Sequence, residues 1–431
     1  MTQTASPKSA DGSAVVPMAI IGGMFFVFGF VTWLNGPLIT FVKLAFTLDD
    51  VSAFLVPMAF YMSYFFLSLP ASAILKRTGM KKGMALALLV MAVGAALFGQ
   101  FVAWRYFPGA LTALFIIGAG LSILQTASNP YISILGPIDS AAQRIAFMGI
   151  CNKFAGILAP LVIGQLVLKG VGDLSAQVAA AATPALREAL LDGFAHKIYL
   201  PYLIMAGLLA LLALAVAKSP LPDITEQSNP AATPGGKATS LFGHANLWLG
   251  FLCLFFYVGA EVMAGDAIGT YGNGFGLPLD QTKYFTSGTL VAMLIGYVAG
   301  LVLVPRFVCQ ARYLVFSAIL GVVFTVLAYL TKGYVSVAFV AALGFANAMM
   351  WPAIFPLGIK GLGRHTATGS AILIMGIAGG AVLPQLFAYF KDTYDFQLVF
   401  AALMVPAYLY ILFFGLFAAR RDQRTLAGGQ E

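Results

Sequence analysis

Apolar residues run along this chain in twelve blocks of about 20 residues, the length that crosses a bilayer as a helix. They fall at roughly 17–41, 51–73, 84–104, 108–134, 145–169, 198–217, 245–267, 284–304, 313–331, 334–357, 368–390 and 396–418. A polar stretch rich in Pro, Gly, Ser and Thr separates the sixth from the seventh. The pattern predicts an all-α polytopic membrane protein of twelve transmembrane helices in two six-helix halves. The divisions are a tail over 1–16, halves over 17–217 and 244–418, a linker over 218–243 and a second tail over 419–431. The stretch 171–197 is Ala-rich and reads as one surface helix capping segments 5 and 6. Gly272-Asn273-Gly274-Phe275-Gly276 lacks the strand-turn-helix setting of a phosphate loop and reads as a flexible external loop.

Charge sets an orientation. If the N-terminus is cytoplasmic and each segment crosses once, 15 basic residues face inward and 8 outward. That bias places both termini and the linker on the cytoplasmic side of a bacterial-type inner membrane. The first segment has no small-residue cleavage site and reads as a retained span. Of 431 residues, 60% are hydrophobic and 9% charged, far from the roughly 25% charge of soluble domains, so a soluble fold is excluded. The net charge of +8 comes from the loop cations just counted, so no nucleic-acid partner is implied. Cys151, Cys253 and Cys309 lack metal-ligand spacing and read as free thiols.

The halves repeat. Phe25-Phe26-Val27-Phe28-Gly29 matches Phe255-Phe256-Tyr257-Val258-Gly259, an alignment that sets Gly36 opposite Asp266. Asn129-Pro130 matches Trp351-Pro352, and Gly156 with Pro160 matches Gly380 with Pro384. Duplicated six-helix halves are an architecture of secondary transporters, with the site between the halves near mid-membrane.

Polar residues inside the segments therefore mark candidate chemistry. Lys153, Glu261 and Asp266 are the ionisable groups left within or beside spans, where a charge costs at least ~2.5 kcal/mol to insert. Counting along the segments puts Lys153 ~12 Å and Glu261 ~24 Å from the cytoplasmic ends, depths that do not suggest a direct salt bridge. Glu261 and Asp266, five residues apart, point about 140° apart on a helix and face different neighbours unless Gly265 unwinds. Asn35, Gln125, Asn129, Asn152 and Asn347, with Trp33 and Trp351, supply amides that both donate and accept, beside rings that can cover a sugar's C–H face. Amides also join helices to one another, so the set has a purely structural alternative. No span contains His, and no hydrolytic or metal-binding constellation is present, so an enzyme is not expected.

These residues resemble the fucose permease and glucose/galactose permease family of the major facilitator superfamily. The resemblance lies in FFVFGFVTWLNGP from Phe25, QTASNPYISILGP from Gln125, FYVGAE from Phe256, GIKGLGRHTATGSAILIMGIAGG from Gly358 and the Lys76–Lys82 loop. The run Asn152-Lys153-Phe154-Ala155-Gly156 and the Glu261…Asp266 pair are most like its N-acetylglucosamine/glucose branch. The resemblance implies a monomeric carrier that imports a monosaccharide (a hexose, 6-deoxyhexose or N-acetylhexosamine) by alternating access. It implies no cofactor, and a coupling cation that is H⁺ in preference to Na⁺; the oxygens of Asp266 and Glu261, with freed carbonyls, are the ligands that Na⁺ would find in this chain. The sugar contact of Asn152 carries over with it. The family's coupling and sugar-binding acids stand where this chain has Gly36 and Gln125, so their roles do not carry over. Two expectations follow. Either Asp266 has taken over coupling from across the pseudo-symmetry axis, with Lys153 and Glu261 completing the charge set, or the protein is an uncoupled facilitator or exporter.

Overall fold

The computed structural model describes residues 15–134, 141–221, 241–304 and 306–427. Within them lie twelve helical spans: Pro17–Ala45, Asp50–Thr78, Met80–Ala103, Phe107–Asn129, Gln143–Leu166, Pro184–Lys218, Ala245–Gly265, Leu279–Leu303, Gln310–Leu330, Gly333–Ile359, Thr368–Phe390 and Phe396–Arg421. We number them 1 to 12. The segments expected from hydrophobicity are all present, most ending within a few residues of the predicted limits. Linker residues 222–240, most of the N-terminal tail, the last four residues and the Leu135-Gly136-Pro137 part of the segment 4 motif lie outside the described residues.

Spans 1 and 7 are each broken near their C-terminal ends. Span 1 is helical over Val15–Thr32, turns at Trp33 and Leu34, and resumes over Asn35–Ala45, with Pro37 in the first turn, where a missing N–H costs nothing. Span 7 stops at Gly265, and a separate helix, Ile268–Asn273, continues the chain. These breaks, within one turn of each other in the repeat alignment, leave backbone and polar side chains facing the half-half interface, which is tolerated in a membrane only where protein covers them.

Tight approach sets the geometry inside each half. A Cβ on Gly29 would sit 2.1 Å from the Asn152 carbonyl oxygen, so the lack of a side chain there lets span 1 lie directly on span 5. Its repeat partner Gly259 performs the same service for spans 7 and 11.

Two loop expectations need correction. The 171–197 stretch forms two helices, Val171–Ala179 and Pro184–His196, because Thr183 caps the second by accepting from the Leu186 N–H. The second lies against spans 1 and 3, where Arg105 pairs with Glu188 and Asp192, and against the rest of span 6. The glycine-rich turn is packed structure: Gly272 and Asn273 close a helix, and the Phe275 ring meets Phe396 edge-on at 4.9 Å.

Candidate functional site

Between the halves lies a cavity of about 90 Å³ that opens into a wider mouth. The N-terminal half contributes Trp33, Gln125, Asn129, Asn152 and Lys153, and the C-terminal half contributes Glu261 and Trp351. Seven of the ten side chains singled out in the sequence thus converge on one space. The span 1 break sets the Trp33 ring there, with its indole N–H donating to Asn152 Oδ1 at 3.3 Å.

Lys153 and Glu261 form a salt bridge, Nζ to Oε1 at 2.8 Å, contrary to the depths counted along the segments. Counting measures position along each axis and neglects tilt and reach. The Glu261 side chain leans toward the start of its helix, the lysine stem is long, and together they close the gap. Lys153 therefore points inward, 6% exposed, and its ammonium also lies 4.3 Å from the centre of the Trp33 ring.

Asp266, Asn35 and Asn347 do not line the cavity. Asn347 is consumed within the C-terminal half, its Oδ1 accepting from the Tyr408 hydroxyl at 2.9 Å. Asn35 is buried in the first turn of the resumed helix. Asp266 lies just beyond the cavity, 2% exposed, at the break in span 7. Its Oδ2 accepts from the Tyr61 hydroxyl at 3.2 Å, a bond that crosses from one half to the other, while Oδ1 has no hydrogen-bond partner. Glu261 and Asp266 do face different neighbours, and the chain also unwinds after Gly265.

The space in front of Gly36 is taken up by Thr286 and Asp266 together. A Cβ on Gly36 would come within 2.5 Å of Thr286 Oγ1 and 3.3 Å of Asp266 Oδ1. The two positions that align between the repeats therefore also meet in space, one supplying the carboxyl group and the other the room for it. Thr286 and Thr289 hold the break open by donating to the Gly265 and Ala264 carbonyls, both at 2.8 Å, which satisfies acceptors freed where the helix stops.

Sequence reasoning missed the tyrosines. Tyr61, Tyr64, Tyr257 and Tyr297 all line the cavity, and the Tyr64 hydroxyl accepts from the Gln125 amide at 3.0 Å. Their signal was the hydroxyl: a mid-span tyrosine needs a partner that lipid cannot give.

A model of the Major Facilitator Superfamily matches residues 21–384. The chain belongs to that superfamily. Within it the chain is 32% identical over 426 residues to the glucose/galactose transporter of Brucella abortus, covering 97% of each chain. It is 29% identical over 434 residues to the L-fucose-proton symporter of Escherichia coli, covering 98% of each. A crystal structure of the major facilitator transporter FucP in the outward conformation superposes with a TM-score of 0.77 at 27% identity, over 94% of this chain and 99% of that one. The sequence resemblance to the fucose and glucose/galactose permeases is thereby shown. The protein is a multi-pass membrane transporter of the major facilitator fold and not an enzyme.

Proposed function

We propose that the protein imports a neutral monosaccharide together with a cation, H⁺ in preference to Na⁺, by alternating access. The sugar class is a hexose, 6-deoxyhexose or N-acetylhexosamine, and the site needs no resident cofactor. The observation that carries the coupled reading is the Asp266 carboxyl group lying, beside Thr286, against the space in front of Gly36. The carboxylate missing from span 1 is replaced, within a few ångströms, from the opposite half.

The roles divide by place. Asn152, Gln125 and Asn129 offer donors and acceptors to sugar hydroxyls, and Trp33 with Trp351 supplies faces for the ring. Lys153 and Glu261 balance each other's charge, which suits an uncharged cargo. Asp266, out of the cavity and beside Tyr61, can exchange a proton without touching the sugar. Burial disfavours the ionised form of any carboxyl group, which is how a membrane acid comes to carry protons. The carrier works as a monomer in a bacterial-type inner membrane, with both termini cytoplasmic, as the loop charges direct.

The uncoupled reading rests on the absence of acids at Gly36 and Gln125. Proteoliposomes loaded without sugar separate the two. The coupled reading expects radiolabelled monosaccharide to accumulate above its outside concentration under an imposed inward H⁺ gradient. Equilibration without accumulation, under both H⁺ and Na⁺ gradients, would leave the facilitator.

A further inference from the structure

The halves are tied together at one end of the bundle by charges that the cavity does not use. Asp50, at the start of span 2, lies 2.5 Å from the Lys391 ammonium at the end of span 11. Beside this pair the Gln385 amide donates to the Val51 carbonyl at 3.1 Å. On the other side of the bundle Lys283, at the start of span 8, donates to the Leu168 carbonyl beyond the end of span 5, at 2.9 Å. Its partner Asp280, 2.8 Å away, accepts from the Gly172 N–H at 3.2 Å, again across the halves.

The two ties are copies of one design. The offset that pairs Phe25 with Phe255 and Gly36 with Asp266 also pairs Asp50 with Asp280. Each acid opens the second span of its half, and each tie reaches the end of the fifth span of the other half. Only the lysine has changed place: it comes from span 11 on one side and from span 8 on the other. Lys283 is 6% exposed, and no merely solvated surface charge is held so deeply. Apart from the Lys283–Asp280 pair, which lies within one half, these contacts join the two bodies that must separate at this rim when a carrier of this fold opens there.

We infer that Asp50–Lys391 and Lys283–Leu168 are paired latches that hold this rim shut, and that the transport cycle must break both together. Under the charge-derived topology the rim is the outer one. The inference rests on family membership and these contacts, and stands whatever the cargo and whether or not Asp266 couples. The latches act through the halves and touch no sugar, so Asp50 and Lys283 are positioning residues.

The test uses a background in which Cys151, Cys253 and Cys309 are replaced by Ser. Spin labels at Lys169→Cys and Thr393→Cys, one on each half at this rim, report the gap. Asp50→Asn or Lys283→Met should enlarge the longer-distance population relative to the parent; Lys391→Gln serves if Asp50→Asn does not fold. Separately, Asp50→Cys with Lys391→Cys, joined by a short bis-methanethiosulfonate, should lose sugar exchange by at least about tenfold, equivalent to ~1.4 kcal/mol on the barrier, and regain it with dithiothreitol. Unchanged distances in the neutralised variants would overturn the inference. So would undiminished exchange by the cross-linked carrier. Either failure leaves the Asp266 reading intact, since neither readout depends on an ion gradient.

Discussion

At the residue scale the site turns on a swap of position. Gly36 has no side chain because Asp266 and Thr286 already occupy the volume one would need. Gly36→Asp alone would force a second carboxyl group against the first, where two like charges cannot both be ionised. It should cut uptake by about tenfold or more, ~1.4 kcal/mol, and lower the melting temperature. Adding Asp266→Gly should recover coupled uptake, with transport assays and melting curves as the readout. A double variant no better than the single would show that the two positions do not share a role. Lys153 and Glu261 make a second residue-scale case. Removing one member of a buried pair strands the other charge, at a cost of about 3–5 kcal/mol, whereas removing both is far milder. Lys153→Met should therefore melt well below Lys153→Met/Glu261→Gln in detergent. The reverse order would mean that the pair is not what stabilises that wall.

At the element scale, function follows from where helices stop and how closely they lie. The broken spans 1 and 7 carry Trp33 and Asp266 to the interface, and Gly29 seats span 1 on span 5 so that Trp33 reaches Asn152. Gly29→Leu should push the two spans apart, lowering both melting temperature and sugar affinity, while the same change at Gly23, which has open space around it, should alter neither. Thermal-shift titration against a panel of hexoses would read both effects. The spans themselves were legible because length and hydropathy alone define them. The facing of side chains was not. These helices are apolar on most sides, so periodicity gives no sharp stripe to orient them. Asn347 and Trp351, four apart on one segment, looked equivalent in sequence, yet a turn at Ala348 and Met349 sends one to Tyr408 and the other to the cavity. The salt bridge of Lys153 with Glu261 was hidden for a related reason, since tilt between helices leaves no mark in spacing.

At the scale of the whole molecule, three of the places where the two halves meet bear on the cycle: the cavity, the Asp266 contact with Tyr61, and the latched rim. The internal repeat, readable as three short matches, foretold that related positions would face one another across the interface. It did not reveal that Asp266 and Gly36 would touch. These places should respond differently to pH. Burial lowers the Lys391 pKa, but its hydrogen bonds with Asp392 and Asp50 outweigh this and raise it above that of an ordinary lysine. A raised lysine pKa makes the contact fully present below the unfolded value and lost only as pH climbs through the folded one. From about pH 5 to 9 the rim distance between labels at Lys169→Cys and Thr393→Cys should therefore hold steady in the sugar-free carrier. Uptake that varies over that range then reports the proton site and not the latch; a rim that opens on acidification would reverse that assignment.

The most direct measurement compares Asp266→Asn with the parent in two assays on the same proteoliposomes. Sugar counterflow needs the carrier to bind and to alternate, while accumulation under a proton gradient needs coupling as well. The variant should exchange sugar at near the parental rate and fail to concentrate it. An undiminished gradient in Asp266→Asn would show that the carboxyl group facing Gly36 is not where this carrier couples its cargo to a cation.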